Sequence, residues 1–456
     1  MKTQNQTFTD WFNQSLLLKA GLIGMLTLLL LIPSNWIQSL ILERQSRQDE
    51  VVKEISDKWS GTQLLQGPVM VLPYKTTISW KDATGKLNVR EAVTSIYLLP
   101  ETLNITSKTS PEILHRGIFD AVVYNTKLSA TGKFSALELK KSGINPGMIQ
   151  WDKARIAIGL SDLKGLKNNP SIKIGTIVSQ VEPDFTLPLF RNSLTIQPDL
   201  SAAKNTTLDF NFDLDFRGSS ELNFLHTGKN TTVTMEGSWN NPSFTGRYLP
   251  EDRNISTTGF TATWKLSYFN RPFPQQWIEK EVADTTNIFN KETRNASFGV
   301  KFLLPVDQYQ KTMRSAKYAI LIILLTFVSL FFTEFINKRK VHLLQYVLVG
   351  AAMIIYYTLL LAFSEQVGFN KAYLIASTAT AALITAFIFM LLKSWKPALV
   401  FGSILTIFYG FIFVIIQLQD LALLVGSIGL FIVVAILMYL SAKMDWNRKE
   451  ITELIN

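Results

Sequence analysis

Five stretches toward the C-terminal end, Tyr318–Ile336, Leu343–Phe363, Ala372–Leu392, Pro397–Ile416 and Leu421–Leu440, carry no Asp, Glu, Lys or Arg in their middles. Each approaches the length of about 20 apolar residues that a helix needs to cross a bilayer core. Hydrocarbon offers no partner to a bare peptide N–H or C=O, so such stretches can cross only as helices. Leu16–Ile32 supplies a sixth, with Lys19 near its start and Pro33 just past its end. A cleaved signal peptide is the rival reading. The stretch Ile32-Pro33-Ser34-Asn35-Trp36 lacks a small-x-small cleavage pattern, and apolar residues resume at Ile37, Leu40, Ile41 and Leu42, so an uncleaved anchor is expected.

The short loops set a direction. Lys338-Arg339-Lys340, Lys393 with Lys396, and Lys443 with Arg448 and Lys449 fall on one side; Glu365 with Lys371, and Asp420, fall on the other. Positive loops stay in the cytoplasm. Arg44 and Arg47 lie on the outer end of the first span and leave its own flanks ambiguous, so the later loops decide: both termini are expected inside and residues 43–315 outside. The net charge of +10 is read the same way. Many of the basic residues flank apolar helices, so the lipid bilayer is the expected partner and nucleic acid is not. The chain has no Cys, which removes disulfides, thiolate nucleophiles and Cys-ligated zinc.

Between the first span and the last five lies a polar stretch of about 275 residues. Leu40–Trp59 reads as an amphipathic helix with Val51, Val52, Ile55 and Trp59 on one face, and it is expected to pack that stripe against its own domain. A partner-binding helix is the alternative. After Gly67-Pro68 the pattern becomes that of strands. Leu208, Phe210, Phe212, Leu214 and Phe216 alternate with polar residues, as do Phe260, Ala262, Trp264, Leu266 and Tyr268. Further strands are expected at Val69–Leu72, Ser95–Leu99, Ala121–Leu128, Ile156–Leu160 and Thr231–Trp239. Many short strands between turn residues predict a large β-sandwich, or two fused as a supersandwich. The fold class is thus an α+β membrane protein: an N-terminal segment and first span over 1–42, a β-rich domain with an N-terminal amphipathic helix over 43–315, five spans over 316–441 and a cytoplasmic tail over 442–456.

No catalytic, cofactor-binding or metal-binding residue is assigned. His115, His226 and His342 are far apart and have no zinc or triad spacing. Asp209, Asp213 and Asp215 read as the solvent face of a strand rather than a calcium loop. The pairs Gly85-Lys86, Gly132-Lys133 and Gly228-Lys229 complete no phosphate loop and read as turns. Near the membrane, Glu334, His342 and Gln345 group toward one side and Glu365, Gln417 and Asp420 toward the other. All sit at helix ends, where side chains reach the interface at modest cost. Ser377, Thr378 and Thr380, with Gly426 and Gly429, read as close helix packing.

The motifs resemble those of the CreD family of inner-membrane proteins through nearly the whole chain. The carriers include Trp59-Ser60-Gly61, Gln66-Gly67-Pro68, Leu72-Pro73-Tyr74, Gly159-Leu160-Ser161-Asp162, Asn241-Pro242-Ser243-Phe244-Thr245-Gly246, Pro305-Val306-Asp307-Gln308-Tyr309-Gln310-Lys311, Ser364-Glu365 and Asp445-Trp446. The resemblance implies a protein of the Gram-negative inner membrane, with a periplasmic β domain, linked to cell-envelope integrity and to the Cre regulatory system. It implies no reaction, cofactor or catalytic residue. The layout is also similar to that of membrane insertases with a periplasmic supersandwich. Those use a basic residue in an intramembrane groove and a cytoplasmic hairpin, whereas no span here has a mid-membrane Lys or Arg and Asn337–Val341 is too short for a hairpin.

Three function classes follow. The first is a non-enzymatic envelope protein whose outer domain binds an envelope protein or component, which requires an exposed apolar or aromatic patch on that domain. The second is a transporter or channel, which requires a wet cavity through the bundle lined by residues such as Gln345, Tyr356 and Ser377. The third is an envelope enzyme built on carboxylates that only folding brings together.

Overall fold

The structure, a computed structural model, describes residues 16–81, 87–190, 192–279, 296–304, 308–337, 339, 341–418 and 421–443. The readings made on residues 1–15, on Gly85 and Lys86, on 305–307, on Lys338, Lys340 and Asp420, and on 444–456 lie outside these. The chain forms two compact units, one of residues 1–47 with 306–456, the other of residues 48–305.

In the first unit, α1 (Leu16–Leu29) is followed by α2 (Leu31–Trp59), whose residues up to Arg47 belong to this unit and which continues helical through Pro33, so that the helix expected over Leu40–Trp59 continues from the first span. Proline is tolerated there because it stands in the first turn of α2, where its missing N–H has no intrahelical partner to lose. The ten-residue α3 (Gln308–Lys317) precedes five long helices: α4 (Ala319–Asn337), α5 (Leu343–Val367), α6 (Phe369–Leu392), α7 (Trp395–Gln417) and α8 (Ala422–Lys443). Among the described residues six helices are long and apolar enough to cross a membrane: these five and the N-terminal one.

Local chemistry explains where they stop. Gly368, at φ 79°, closes α5 by donating its N–H to the Ser364 carbonyl and starts α6 in the next residue. Lys393 takes the left-handed conformation and caps α6 through its N–H to the Phe389 carbonyl. Pro397 sits in the first turn of α7. The buried face of α6 includes the small residues Ala372, Ala376, Ser377, Thr380 and Ala381, which let α5 and α7 approach, together with larger ones such as Tyr373 and Ile384, while Thr378 is exposed.

The second unit is a two-sheet sandwich. Its seventeen strands among the described residues are β1 (Gln63–Lys81), β2 (Leu87–Leu98), β3 (Thr102–Arg116), β4 (Phe119–Phe134), β5 (Arg155–Leu160), β6 (Ser171–Ile174), β7 (Ile177–Gln180), β8 (Glu182–Asp184), β9 (Ser193–Ile196), β10 (Leu208–Ser219), β11 (Glu221–Leu225), β12 (Asn230–Gly237), β13 (Pro242–Gly246), β14 (Asp252–Ile255), β15 (Phe260–Ser267), β16 (Gln276–Ile278) and β17 (Ser297–Phe302). One sheet has nine strands along the order β13-β17-β11-β1-β5-β9-β8, with β2 and β16 running from β1. The other has eight, in the order β14-β15-β12-β3-β4-β10-β6-β7. The core lies between them. Leu72, Ile158, Phe224 and Phe298 come from the first sheet and meet Phe212, Phe216, Met235 and Trp264 from the second. The alternation read at Leu208–Phe216 is the burial pattern found, with Asp209 and Asp213 on the solvent side.

Three local readings are corrected. β1 starts at Gln63, four residues before Gly67-Pro68, because that pair forms a bulge within the strand and does not begin it. Gly67, at φ 91°, lets the backbone pass within contact of the Ala157 carbonyl, where a Cβ would come to 2.9 Å. Gly132-Lys133 is inside β4 and not a turn; a Cβ on Gly132 would fall 2.0 Å from the Thr102 carbonyl oxygen. Tyr268 and Trp239 lie just beyond β15 and β12, in the turns that follow.

The C-terminal part of α2 packs on the sandwich. Val51 is buried, the Arg217 guanidinium lies 4.9 Å from the Trp59 ring, and Glu54 pairs with Arg116 at 2.5 Å and with Lys58 at 2.8 Å. This is the stripe expected at Val51 to Trp59.

Candidate partner-binding surface

β1 and β2 pair antiparallel from Met70↔Leu98 to Lys81↔Leu87. Support from neighbouring strands ends earlier. β5 pairs with β1 only as far as Val71, an isolated bridge joins Tyr74 to Ile149, and β16 reaches only Ile96–Leu98. Glu279 adds one bond to the Ser95 carbonyl and accepts one from Thr94. Past these points, over 76–81 and 87–93, the two strands pair only with each other among the described residues. The outer edge of an antiparallel ribbon of this kind is where a further strand can add.

The arm also exposes three apolar side chains. Leu87, Val89 and Val93 alternate along β2 and so share one face, with exposures of 59%, 61% and 62%. Glu91 sits between them, and Lys75 and Thr77 are the register partners of Val93 and Glu91 on the same face. An apolar side chain in water forfeits about 25 cal/mol per Å² of surface, so three exposed on one face of this ribbon mark a face that a partner can cover.

The membrane-side residues singled out from sequence are engaged structurally. Glu334 is held by the Lys19 ammonium and by the Tyr346 hydroxyl at 3.1 Å, and Lys19 also donates to the Val341 carbonyl at 2.9 Å. His342 caps α5, its N–H donating to Gln345 Oε1 at 2.9 Å. At the other end of the bundle α3 is pinned three times. Tyr309 donates to Glu365 at 2.9 Å, Lys311 donates to Gln417 at 3.1 Å, and Arg314 donates to the Ile415 and Leu418 carbonyls. Gln417 donates in turn to Asn370 at 2.7 Å. Glu365 and Gln417 are thus joined through α3. Tyr356 and Ser377 are buried against other helices, and the Ser377 hydroxyl donates to the Leu374 carbonyl.

One cluster that spacing could not reveal lies in the β domain. His226, directly after β11, is fully buried with no well-formed hydrogen bond to either ring nitrogen among the described residues. Burial, and then the positive charge of Arg271, push its pKa down to about 4. Arg271 is itself buried and donates to the Thr227 and Phe273 carbonyls and to Gln275 Oε1. Burial lowers its pKa to about 10. Gln275 passes the tie on to the Leu99 and Pro100 carbonyls. The group clamps three loops. The other histidine of the domain, His115, pairs with Asp120 at the exposed β3–β4 turn.

The family model for the inner membrane protein CreD matches residues 15–447. The chain belongs to the CreD family. Inner membrane protein CreD of Escherichia coli (strain K12) is 30% identical over 421 residues, covering 92% of this chain and 91% of that one. As a CreD-family protein with six candidate spans, it is an inner membrane protein in contact with the lipid bilayer.

Proposed function

We propose that this CreD-family protein is a non-enzymatic inner-membrane component that supports cell-envelope integrity, and that its β1–β2 arm binds an envelope protein. Both termini lie in the cytoplasm and residues 43–315 in the periplasm in this reading, on the charge bias of the loops. The observation that carries it is the arm: two strands that, among the described residues, pair only with each other over 76–81 and 87–93, with the exposed row Leu87, Val89, Val93. A partner that supplies an extended segment gains main-chain hydrogen bonds from the edge and apolar burial from the row. The bundle supports a platform role, since Glu334, Glu365 and Gln417 sit at helix ends and each is bonded within the protein.

A photo-crosslinking residue at Val89 in the full-length protein tests the reading in cells. A discrete protein adduct is expected, lost when Leu87 and Val93 are both changed to Asp, with envelope resistance falling in parallel. Because both side chains are exposed, the melting temperature should hold. Absence of an adduct together with unchanged envelope resistance in the double variant overturns the proposal.

A further inference from the structure

The outer face of the eight-stranded sheet holds a trough of about 560 Å³ across β12, β3, β4 and β10, within the range of small-molecule sites. Its floor is polar by alternation: Thr106 and Lys108 from β3, Lys127 and Ser129 from β4. Asp213 and Asp215 rise on one side and Thr234 and Glu236 on the other. The register sets Lys108 directly opposite Lys127. Like charges placed opposite in an antiparallel pair are destabilising, and a pattern that breaks a local rule marks a place where something else repays it.

The flanking acids only partly do so. Glu236 approaches Lys108 at 3.8 Å, but Asp215, the register partner of Lys127 on β10, pairs with Lys167 at 3.7 Å. Among the described residues Lys127 has no carboxylate within ion-pair distance. The edge near Asp215 is closed by Asn168, whose Oδ1 accepts from the Asp215 N–H at 3.1 Å. One row along, Thr106 and Ser129 present hydroxyls, which donate to or accept from a polar ligand, while the Thr234 hydroxyl beside them lies 3.4 Å from that of Thr263.

We propose that this trough binds a polyhydroxylated anion, a sugar carrying a single carboxylate or phosphate group, with the anionic group between Lys108 and Lys127. The two ammonium groups give the anion its seat. The hydroxyl row and the acids of Asp213 and Glu236 take the sugar hydroxyls, and those acids repel a polyanion. The inference is independent of the arm, which belongs to the other sheet.

The test uses the full-length protein in detergent and titrates glucuronate and glucose 6-phosphate, which separate carboxylate from phosphate, with glucose as the neutral control. Saturable binding of either anion is expected, at least about tenfold tighter than glucose, in line with charged hydrogen bonds. Lys127→Gln should weaken it about tenfold, with Lys127→Arg restoring it, while Lys127→Gln raises the melting temperature of the unliganded protein by relieving the repulsion. A pair of lysines with a purely structural role moves the melting temperature and nothing else. Binding that does not distinguish anion from glucose, binding unchanged in Lys127→Gln, or no binding of either anion overturns the proposal.

Discussion

His226 is an imidazole kept neutral by its surroundings, and that has a measurable consequence. Its pKa is about 4 in the folded protein against 6.5 ordinarily. Between those values the unfolded chain holds a proton that the folded one does not, so acid favours unfolding. The stability owed to His226 is fully present above pH 6.5 and is lost as pH falls toward 4, amounting to about 3 kcal/mol at most. In His226→Phe the fall in melting temperature between pH 6.5 and 4.5 should be visibly shallower than in the wild type; equal slopes would mean that the histidine is already protonated or reaches solvent. Gly132 makes the opposite kind of point, since space rather than charge decides it. A Cβ there meets the Thr102 carbonyl oxygen at 2.0 Å and the Phe210 ring at 2.6 Å. Gly132→Ala should cost roughly 1–3 kcal/mol, read as a lower melting temperature.

At the scale of elements, α7 offers a comparison inside one helix. A Cβ at Gly402 would come within 2.4 Å of Thr385 Oγ1 on α6, whereas at Gly410 nothing lies within 4 Å. Gly402→Val should separate α6 from α7 and lower the apparent melting temperature in detergent by an amount equivalent to roughly 1–3 kcal/mol, and Gly410→Val should leave it nearly unchanged. Equal effects would show that the helices can repack around the added methyl groups. The helices themselves were legible because lipid imposes a length and a composition that nothing else imitates. Strands with strict alternation, such as Leu208–Phe216, were legible for a similar reason: one face is dry and the other wet. β1 was misplaced because Gly67-Pro68 has the composition of a strand boundary, and only the neighbouring β5 backbone shows it to be a bulge. Nor could sequence show the arm. The strand expected there, Ser95–Leu99, covers only the supported end of β2, and the row Leu87, Val89 and Val93 precedes it. The clamp at His226 and the pair Lys108 and Lys127 depend on register and on loops far apart in the chain, which no spacing encodes.

For the whole molecule the open quantity is direction. Arg339, Lys393 and Lys443 fall after α4, α6 and α8, and alternate crossings bring these ends to one side of the bundle. Basic residues also occur at the opposite end, on α3, and a simple count would blur the bias. They differ in kind. Lys311 is committed to Gln417, and Arg314 to the carbonyls that α7 leaves open at its C-terminus, where a cation is favoured by the helix dipole. With those two engaged, the positive-inside bias of the short loops predicts that the loop after α6, with Lys393 and Lys396, lies on the cytoplasmic side. The absence of native Cys makes this testable without background. In spheroplasts treated with a membrane-impermeant maleimide, Ser110→Cys on the β domain should label at once, since Ser110 is exposed. Lys396→Cys, exposed at the start of α7, should label only after lysis. The reverse order would invert the protein in the membrane, and with it remove the β1–β2 arm and the lysine-paired trough from the compartment in which an envelope partner could reach them.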